Sequence, residues 1–165
     1  MPDTSLSPNE KAVHALKSYG NAILRVSFVY LHNMADAEDI LQDTLIRLMR
    51  SNPDFTDQDH EKAWLLRVAI NLCKNRRKSA WSKRAEIPEN YPGESLAAEE
   101  CILLETVIKL PAPYRDVIHL FYYEGYSTAG IAGILQKNES TVRSLLHRAR
   151  KMLKKELKEG YDFDG

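Results

Sequence analysis

The sequence has few cysteines and few residues that break helices. Among its 165 residues there are two cysteines, Cys73 and Cys101, and neither lies in a Cys-x-x-Cys pair or a Cys/His cluster. A disulfide framework and a zinc site are therefore excluded, and we expect both thiols to be buried as small apolar side chains. With 7 glycines, 7 prolines, 44% apolar and 28% charged residues, the composition is that of a folded chain with one or two small domains.

Long apolar runs and catalytic signatures are also missing. No segment approaches the roughly 18 apolar residues of a membrane span, and the first residues, MPDTSLSPNE, lack the basic start and apolar stretch of a targeting signal. We therefore expect a cytoplasmic protein without membrane insertion. Because there is no glycine-rich phosphate loop, no His-Glu-x-x-His, no Gly-x-Ser-x-Gly and no clustered acids, and the five histidines are scattered, we expect no catalytic residue, no metal and no cofactor.

The charges balance overall but are segregated along the chain. Lysine and arginine together number 23, as do aspartate and glutamate. Residues 36–43 carry four acids and no base, residues 74–84 carry six bases and no acid, and residues 137–155 carry seven bases against one glutamate. The two basic segments are candidate contacts with a polyanion such as nucleic acid.

Three helices are predicted in the first half of the chain. The first begins at the Ser-Pro-Asn-Glu of residues 7–10, where the serine is the N-cap and the glutamate completes a capping box. It continues to about Leu31, and its apolar spacing predicts one buried stripe formed by Val13, Leu16, Ile23, Leu24, Phe28 and Leu31. The second helix follows Asp36 and has its acids opposite its apolar face. After a loop at residues 51–59, the third begins near Asp59 and ends in basic residues.

Residues 81–97 separate the two halves. The apolar periodicity disappears there, and prolines, a glycine and glutamates accumulate, which is typical of a linker. After it, Ser95 is expected to cap a fourth helix that stops at a Pro-Ala-Pro break, and a fifth helix spans residues 114–123. Because no alternating strand pattern occurs, the sequence predicts an all-α protein with two small helical domains, residues 1–80 and 98–165, joined by this linker.

The second domain is expected to contain a helix-turn-helix. A short helix at residues 127–135, a polar break at 136–138 and a longer basic helix from Glu139 to about Leu157 are its ingredients. If the break requires a left-handed residue, Asn138 would tolerate that conformation better than Lys137. The inner face is apolar: Ile131, Ala132, Leu135, Val142 and Leu146. The outer face carries donors that suit phosphates and guanine edges, namely Ser140, Thr141, Arg143, Ser144, His147, Arg148, Arg150 and Lys151. A helical hairpin with a solvated basic face has a similar pattern, but the charge bias and the turn favour DNA binding.

The second and third helices carry weaker signals. Trp64, Asn71, Asn75 and the basic tail of residues 74–78 combine aromatic, amide and cationic groups, which can hold phosphates and an unstacked base. Taken alone, however, a tryptophan beside an apolar stripe more often belongs to a core, and a basic helix end often only complements the helix dipole. The acidic face of the second helix, by itself, is more typical of a solvated surface than of a binding site.

Four segments, read in order, resemble the motifs of one protein family. They are DAEDILQDT at residues 36–44, WLLRVAIN at 64–71, LPAPYRDVI at 110–118 and STVRSLLHRAR at 140–150. Over about residues 9–158 the chain resembles an extracytoplasmic-function sigma factor of the bacterial sigma-70 family. The resemblance implies a transcription initiation factor without an active site, which binds core RNA polymerase, directs it to two-part promoter DNA and helps to melt that DNA. Many members of the family also have an anti-sigma factor as a partner.

The resemblance assigns a role to each charged surface. The first domain would bind core polymerase through the polar face of the second helix, formed by Asp36, Glu38, Asp39, Gln42 and Asp43. Its third helix would recognise and melt the −10 element through Trp64, Asn71, Lys74, Asn75, Arg76, Arg77 and Lys78, with Asn52 and Phe55 as candidates for a base pocket by their location. The second domain would read the −35 element through Ser140, Thr141, Arg143, Ser144, His147, Arg148 and Lys151. The chain departs from the family at Leu145, where an arginine is frequent.

Two other functions are compatible with the residues. A stand-alone helix-turn-helix regulator would bind duplex DNA tightly without polymerase, usually as a dimer on paired half-sites. A helical adaptor would use its acidic and basic faces for protein partners and would show no preference among DNA sequences. The order of the patches, acidic and then basic, disfavours both alternatives.

Overall fold

Helices form nearly all of the chain that can be described. The computed structural model describes residues 6–80 and 98–160, and within them the side chains of residues 6–76 and 103–157. These ranges contain helices and connecting segments and no strand, so the predicted all-α class is confirmed. The chain divides into two compact units, Met1–Ser82 and Lys83–Gly165. The predicted linker and the Ser95 cap lie outside the described residues.

Three long helices form the first unit: α1 (Pro8–Leu31), α2 (Met34–Ser51) and α3 (Gln58–Ala80). Helix α1 packs against both α2 and α3, and α2 also packs against α3. The core combines aliphatic side chains with Phe28, Tyr19 and Tyr30. Its most buried large side chains are Ile23, Phe28, Ile40, Leu48, Leu65 and Leu66. Cys73 is also fully buried, as expected for a small apolar side chain.

Polar caps determine where the first two helices begin. The Ser7 Oγ accepts a hydrogen bond from the Glu10 backbone N at 3.2 Å, and Glu10 Oε1 accepts one from the Ser7 backbone N at 2.9 Å, which confirms the capping box. At the other end of α1, His32 adopts a left-handed conformation with φ 58°. The next residue, Asn33, then caps α2 by accepting from the Asp36 N at 2.9 Å. Helix α2 therefore begins before Asp36, where the sequence predicted it to follow.

The buried stripe predicted along α1 is wrong at its N-terminal end. Val13 is 51% exposed and Leu16 is 47% exposed. Most buried positions of α1 lie from Tyr19 to Leu31, and only Ala15 is buried before them. The helix has 24 residues, about 36 Å at 1.5 Å per residue, and its first turns bury little against other elements. Helical spacing identifies a face, but it does not show how much of that face is covered.

The second unit contains four helices and a π-helical turn. These are α4 (Ala98–Ile108), α5 (Ala112–Ile118), which continues into the π turn (His119–Tyr123), α6 (Thr128–Leu135) and α7 (Glu139–Gly160). Helix α7 packs against α4, α5 and α6. The core of the second unit includes Leu104, Ile108, Ile118, Leu120, Ile131 and Leu146, each at most 2% exposed.

The fifth predicted helix differs in its start and in its last turn. It begins at Ala112 rather than Tyr114, because Pro113 lies in the first turn, where a missing N–H costs no hydrogen bond. Its last turn widens into the π turn, in which His119 Nε2 lies 3.0 Å from Glu124 Oε2 with both side chains almost completely buried. The His119 ring also stacks on Tyr123 at 5.5 Å. These contacts lie directly before Gly125, whose φ of 78° suits glycine.

Candidate nucleic-acid and polymerase interfaces

The helix-turn-helix is built by local hydrogen bonds. The Ser127 Oγ accepts from the Gly130 backbone N at 3.0 Å and so caps α6. At the other end of α6 the left-handed residue is Gln136, with φ 57°, whereas the sequence-based comparison is between Asn138 and Lys137. The left-handed position follows the last helical residue directly, because there it lets the chain satisfy the final carbonyls, and the Lys137 N accordingly donates to the Ala132 carbonyl at 3.0 Å.

Helix α7 has one buried face and one exposed face. The buried face contains Val142, Leu146, Ala149 and Leu157, all at most 7% exposed. All seven side chains predicted to contact the −35 element are exposed: Ser140, Thr141, Arg143, Ser144, His147, Arg148 and Lys151. At about 100° per residue they span an arc of about 160°. The structure therefore brings all seven onto a single surface, which we call the α7 outer face.

Arg150 lies at the edge of the same exposed arc, about 20° from Arg143 on the helical wheel. Its Nε donates a hydrogen bond to Tyr122 Oη at 2.8 Å, and its guanidinium carbon lies 5.5 Å from the Phe121 ring centroid and 5.7 Å from that of Tyr122. Such cation–π contacts are attractive by about 0.5–1 kcal/mol at exposed sites. Arg150 is therefore exposed, as the sequence predicted, and it also joins α7 to the π turn.

Glu139 connects the two helices of the helix-turn-helix. Its Oε2 accepts a hydrogen bond from Thr128 Oγ1 at 2.7 Å and lies 3.2 Å from Arg143 Nη1. Thr128 is the first residue of α6 and Glu139 is the first residue of α7. One carboxylate oxygen thus contacts both the start of α6 and an arginine of the outer face. The sequence analysis assigned no role to Glu139, although its i, i+4 spacing to Arg143 is a signal for such a pair.

Helix α3 presents a second exposed polar surface. Asn71, Lys74 and Asn75 are exposed, and Trp64 is half-buried. Arg67, also half-buried, lies four residues before Asn71 and seven before Lys74, which places it on the same side of the helix. Sequence reasoning missed Arg67, although this spacing could have found it. Arg77 and Lys78 belong to α3, but their side chains lie outside the described part of the chain.

The two candidates for a base pocket have different surroundings. Phe55 lies edge-on to His60 at 5.2 Å and to Trp64 at 5.7 Å between ring centroids, so it forms an aromatic cluster with a residue of the predicted −10 surface. Asn52 instead caps α2 with φ 43°, and its Oδ1 accepts from Lys11 Nζ at 2.8 Å. The structure thus brings Phe55 next to Trp64, whereas Asn52 connects α2 to α1.

Arg76 joins the two surfaces to which the sequence assigned different roles. Its Nη2 lies 3.0 Å from Asp36 Oδ1 and 3.1 Å from Asp39 Oδ2. By helical geometry Arg76 is about 160° around α3 from Lys74, so its side chain points to α2 while Lys74 points to solvent. A residue predicted to contact −10 DNA therefore pairs with two acids predicted to contact polymerase.

The polar face of α2 also includes an apolar residue. Glu38, Asp39, Gln42 and Asp43 are exposed and Asp36 is half-buried. Ile46 is 40% exposed. It lies four residues after Gln42 and three after Asp43, which places it on the same face of the helix. An exposed isoleucine beside acids is typical of a surface that contacts a protein. The sequence analysis did not single it out, although its spacing from Asp43 was visible.

The described residues contain no cluster of three or more histidine, cysteine, aspartate or glutamate side chains that could hold a metal ion. In the same residues, no helix has a stretch long and apolar enough to cross a membrane.

A helical protein whose second unit contains a helix-turn-helix with a basic outer face has the architecture of a DNA-binding transcription factor. The family model "Sigma-70 region 2" matches residues 15–83, and "Sigma-70, region 4" matches residues 102–153. The chain is 36% identical to the ECF RNA polymerase sigma factor SigL of Mycobacterium tuberculosis over 135 residues, 76% of each chain. It is 31% identical to the ECF RNA polymerase sigma-E factor of Haemophilus influenzae, over 90% of this chain and 89% of the relative.

Solved structures have the same fold. The sigma factor RpoE from Bartonella quintana, in complex with the anti-sigma factor NepR, has a TM-score of 0.73 at 22% identity, covering 90% of this chain and 98% of the other. CnrH, in complex with the cytosolic domain of CnrY, has a TM-score of 0.70 at 23% identity, covering 92% and 90%. The chain belongs to the extracytoplasmic-function sigma factors of the sigma-70 family. It is therefore an RNA polymerase sigma factor that directs promoter-specific transcription initiation, a class of initiation factors rather than catalysts.

Proposed function

We propose that this sigma factor uses three separate helical surfaces. The acidic face of α2 binds core RNA polymerase, α3 and its preceding loop bind and melt the −10 element, and the α7 outer face reads the −35 element. In this division of labour residues 1–80 form the polymerase and −10 domain, residues 98–165 form the −35 domain, and residues 81–97 link them. The protein acts in the cytoplasm and has no enzymatic activity and no cofactor of its own.

The arrangement of α7 carries this proposal. Seven donors share one exposed arc, and the opposite arc is packed in the core. Among these donors, arginine makes bidentate contacts to guanine in the major groove, and serine and threonine contact bases and phosphates. A solvated hairpin would expose the same side chains, but the match of residues 102–153 to sigma-70 region 4 favours promoter recognition.

The α3 surface supports the assignment of promoter melting. Asn71, Lys74 and Asn75 offer amide and ammonium donors to a backbone, and Phe55 and Trp64 present aromatic rings on the same unit. Stacking of an unpaired base on an aromatic ring contributes about 1–3 kcal/mol, which is comparable with the few kcal/mol that unstacking costs. Capture of unstacked bases thus offsets part of the cost of opening and stabilises the open promoter without catalysis. In this proposal Arg76 positions α3 on α2 and does not contact DNA in its paired state.

The α2 surface supports the polymerase assignment. Gln42 and Asp43 are exposed one turn before the exposed Ile46. Apolar and charged side chains side by side are common in protein interfaces. We further propose an anti-sigma factor as a partner, as for the similar Bartonella quintana protein. The exposed Val13 and Leu16 of α1 are apolar surface available to a protein partner.

The decisive test is transcription in vitro from genomic fragments of the source organism, with its purified core RNA polymerase in the presence or absence of this protein. We expect new transcripts that share sequences near −35 and −10. An Arg143→Ala variant should relax the −35 preference by about 1–3 kcal/mol, and a Lys154→Ala variant on the same helix should reduce mainly the salt dependence. Tight, sequence-selective binding of duplex DNA without polymerase, and no transcripts with it, would instead identify a stand-alone regulator.

A further inference from the structure

We propose that Glu139 is a specificity-determining residue of the −35 surface and acts by positioning Arg143. This inference rests on the proposed function, in which Arg143 contacts base edges. In this role Glu139 does not itself contact DNA. It restricts the orientations of the Arg143 guanidinium and weakens the binding of that guanidinium to phosphates outside a promoter.

The contacts of Glu139 hold its carboxylate at a defined place. The same oxygen, Oε2, accepts from Thr128 Oγ1 at 2.7 Å and lies 3.2 Å from Arg143 Nη1. Thr128 belongs to α6 and is eleven residues away, whereas Arg143 is one turn further along α7. The hydrogen bond from Thr128 thus holds the carboxylate of Glu139 in place when the Arg143 side chain moves. The pair therefore has one preferred geometry.

The exposure of the pair allows DNA to compete with it. The Arg143 side chain is 60% exposed and that of Glu139 is 44% exposed. Exposed i, i+4 ion pairs are weak, so a guanine edge with two acceptors can recruit the arginine at little cost. An arginine that already has few orientations also loses less conformational entropy when it binds a base.

The effect on phosphate binding is opposite. A DNA phosphate attracts the positive charge of the Arg143 guanidinium in many relative orientations, and it repels the nearby carboxylate of Glu139. Glu139 therefore weakens binding to arbitrary DNA more than binding to the matched −35 element. Specificity is the difference in affinity between the −35 element and arbitrary DNA, and it increases when binding to arbitrary DNA is weakened.

The test uses the full-length chain with purified core RNA polymerase and two DNA probes. One probe is a duplex pool with a randomised −35 segment, and the other is a duplex of unrelated sequence. For Glu139→Gln we expect tighter binding to the unrelated duplex and a slope of log affinity against log salt that is steeper by about one. Discrimination among −35 sequences should fall by roughly twofold, in keeping with the small energy of an exposed i, i+4 pair. Thr128→Val, which removes only the donor to Glu139, should change both quantities in the same direction and by less.

A matched control is available on the same helix. Glu156→Gln removes the same charge from an exposed position of α7 that lies about 160° from Ser140 on the helical wheel, and it should change neither discrimination nor the salt slope. If Glu139→Gln and Glu156→Gln have equal effects, net charge alone explains the result and the inference is overturned. If Glu139→Gln weakens binding to the −35 pool and to the unrelated duplex equally, Glu139 has only a structural role, and the inference is also overturned.

Arg143→Ala separates this inference from the proposed function. If Arg143→Ala leaves −35 discrimination unchanged, base reading by Arg143 is refuted, and the inference fails with it. If Arg143→Ala relaxes discrimination at one position and Glu139→Gln keeps it in full, only the role of Glu139 is refuted. Loss at the same position in both variants, accompanied by stronger binding to unrelated DNA in Glu139→Gln alone, supports both statements.

Discussion

Charge reversal at Asp39 and at Asp43 should have different effects on stability, although both acids lie on the face proposed to bind polymerase. Asp39 Oδ2 is 3.1 Å from Arg76 Nη2, whereas the described residues provide no ion-pair partner for Asp43. The side chains of Arg76 and Asp39 are 35% and 55% exposed, so solvent screens the pair and it contributes about 0.2–1 kcal/mol. Reversal also adds a repulsion, and the expected cost of Asp39→Lys is about 1 kcal/mol.

A difference of this size is measurable. For a unit of this length, 1 kcal/mol corresponds to a shift in Tm of about 4–8 °C. Trp64 is half-buried in the first unit, so urea unfolding followed by tryptophan fluorescence in a Trp81→Phe background reports on that unit. Asp43→Lys is the matched control and should stay within about 0.5 kcal/mol of the parent protein, while both variants weaken association with core polymerase.

Two results would refute the reasoning. Equal stability of Asp39→Lys and Asp43→Lys would show that the pair with Arg76 contributes nothing to folding. An Asp39→Lys cost that persists unchanged in 1 M salt would show that it is not electrostatic, because the Debye length falls to about 3 Å there. In the background of Arg76→Gln, the cost of Asp39→Lys should largely disappear, as expected of two residues that are directly coupled.

Three further changes test other parts of the fold. Gly133→Ala should stabilise the second unit by about 0.5–1 kcal/mol, because alanine has the higher helix propensity and no atom lies within 4 Å of the added Cβ. Gly130→Ala should stabilise it less, because its Cβ would lie 3.2 Å from a Tyr126 ring carbon. Equal stabilisation by the two variants in thermal unfolding would contradict this prediction. Glu124→Ala should cost about 3 kcal/mol in urea unfolding, because it breaks an almost completely buried pair, and a cost below 1 kcal/mol would show that the pair is dispensable. Burial, together with the nearby negative charge of Glu61, raises the pKa of Tyr19 above its ordinary value of 10.0. The free energy of unfolding should therefore fall as pH rises past the unfolded-state pKa of this tyrosine. Tyr19→Phe should lose less stability over the same alkaline range.

Much of the fold was predictable because local chemistry determines it. The serine and glutamate of the first capping box form the hydrogen bonds that their spacing predicts, since both partners belong to the same helical turn. Ser127 caps α6 through an equally local hydrogen bond, although the sequence placed Ser127 inside that helix. The left-handed position at Gln136 depends on where α6 stops, which propensity locates only to within a few residues.

The outer face of α7 was also predictable in its composition. Residues at i, i+3, i+4 and i+7 share a face of any helix, so the apolar residues of α7 determine which donors remain outside. The seven exposed side chains follow from this rule. Their use for −35 recognition remains a prediction, as do the assignments on α2 and α3.

The order of the helices, the capping box of α1, the polarity of the helix faces and the family follow from the amino-acid sequence alone, because each depends on residues close together along the chain or on motif order. Only the tertiary structure decided which charged side chains meet. It paired Arg76 with Asp36 and Asp39 across some 40 residues, placed Arg150 on Tyr122 and left Val13 and Leu16 uncovered. These outcomes depend on how far neighbouring helices extend and how they are rotated about their axes. Such geometry results from the packing of the whole core, and no local pattern encodes it.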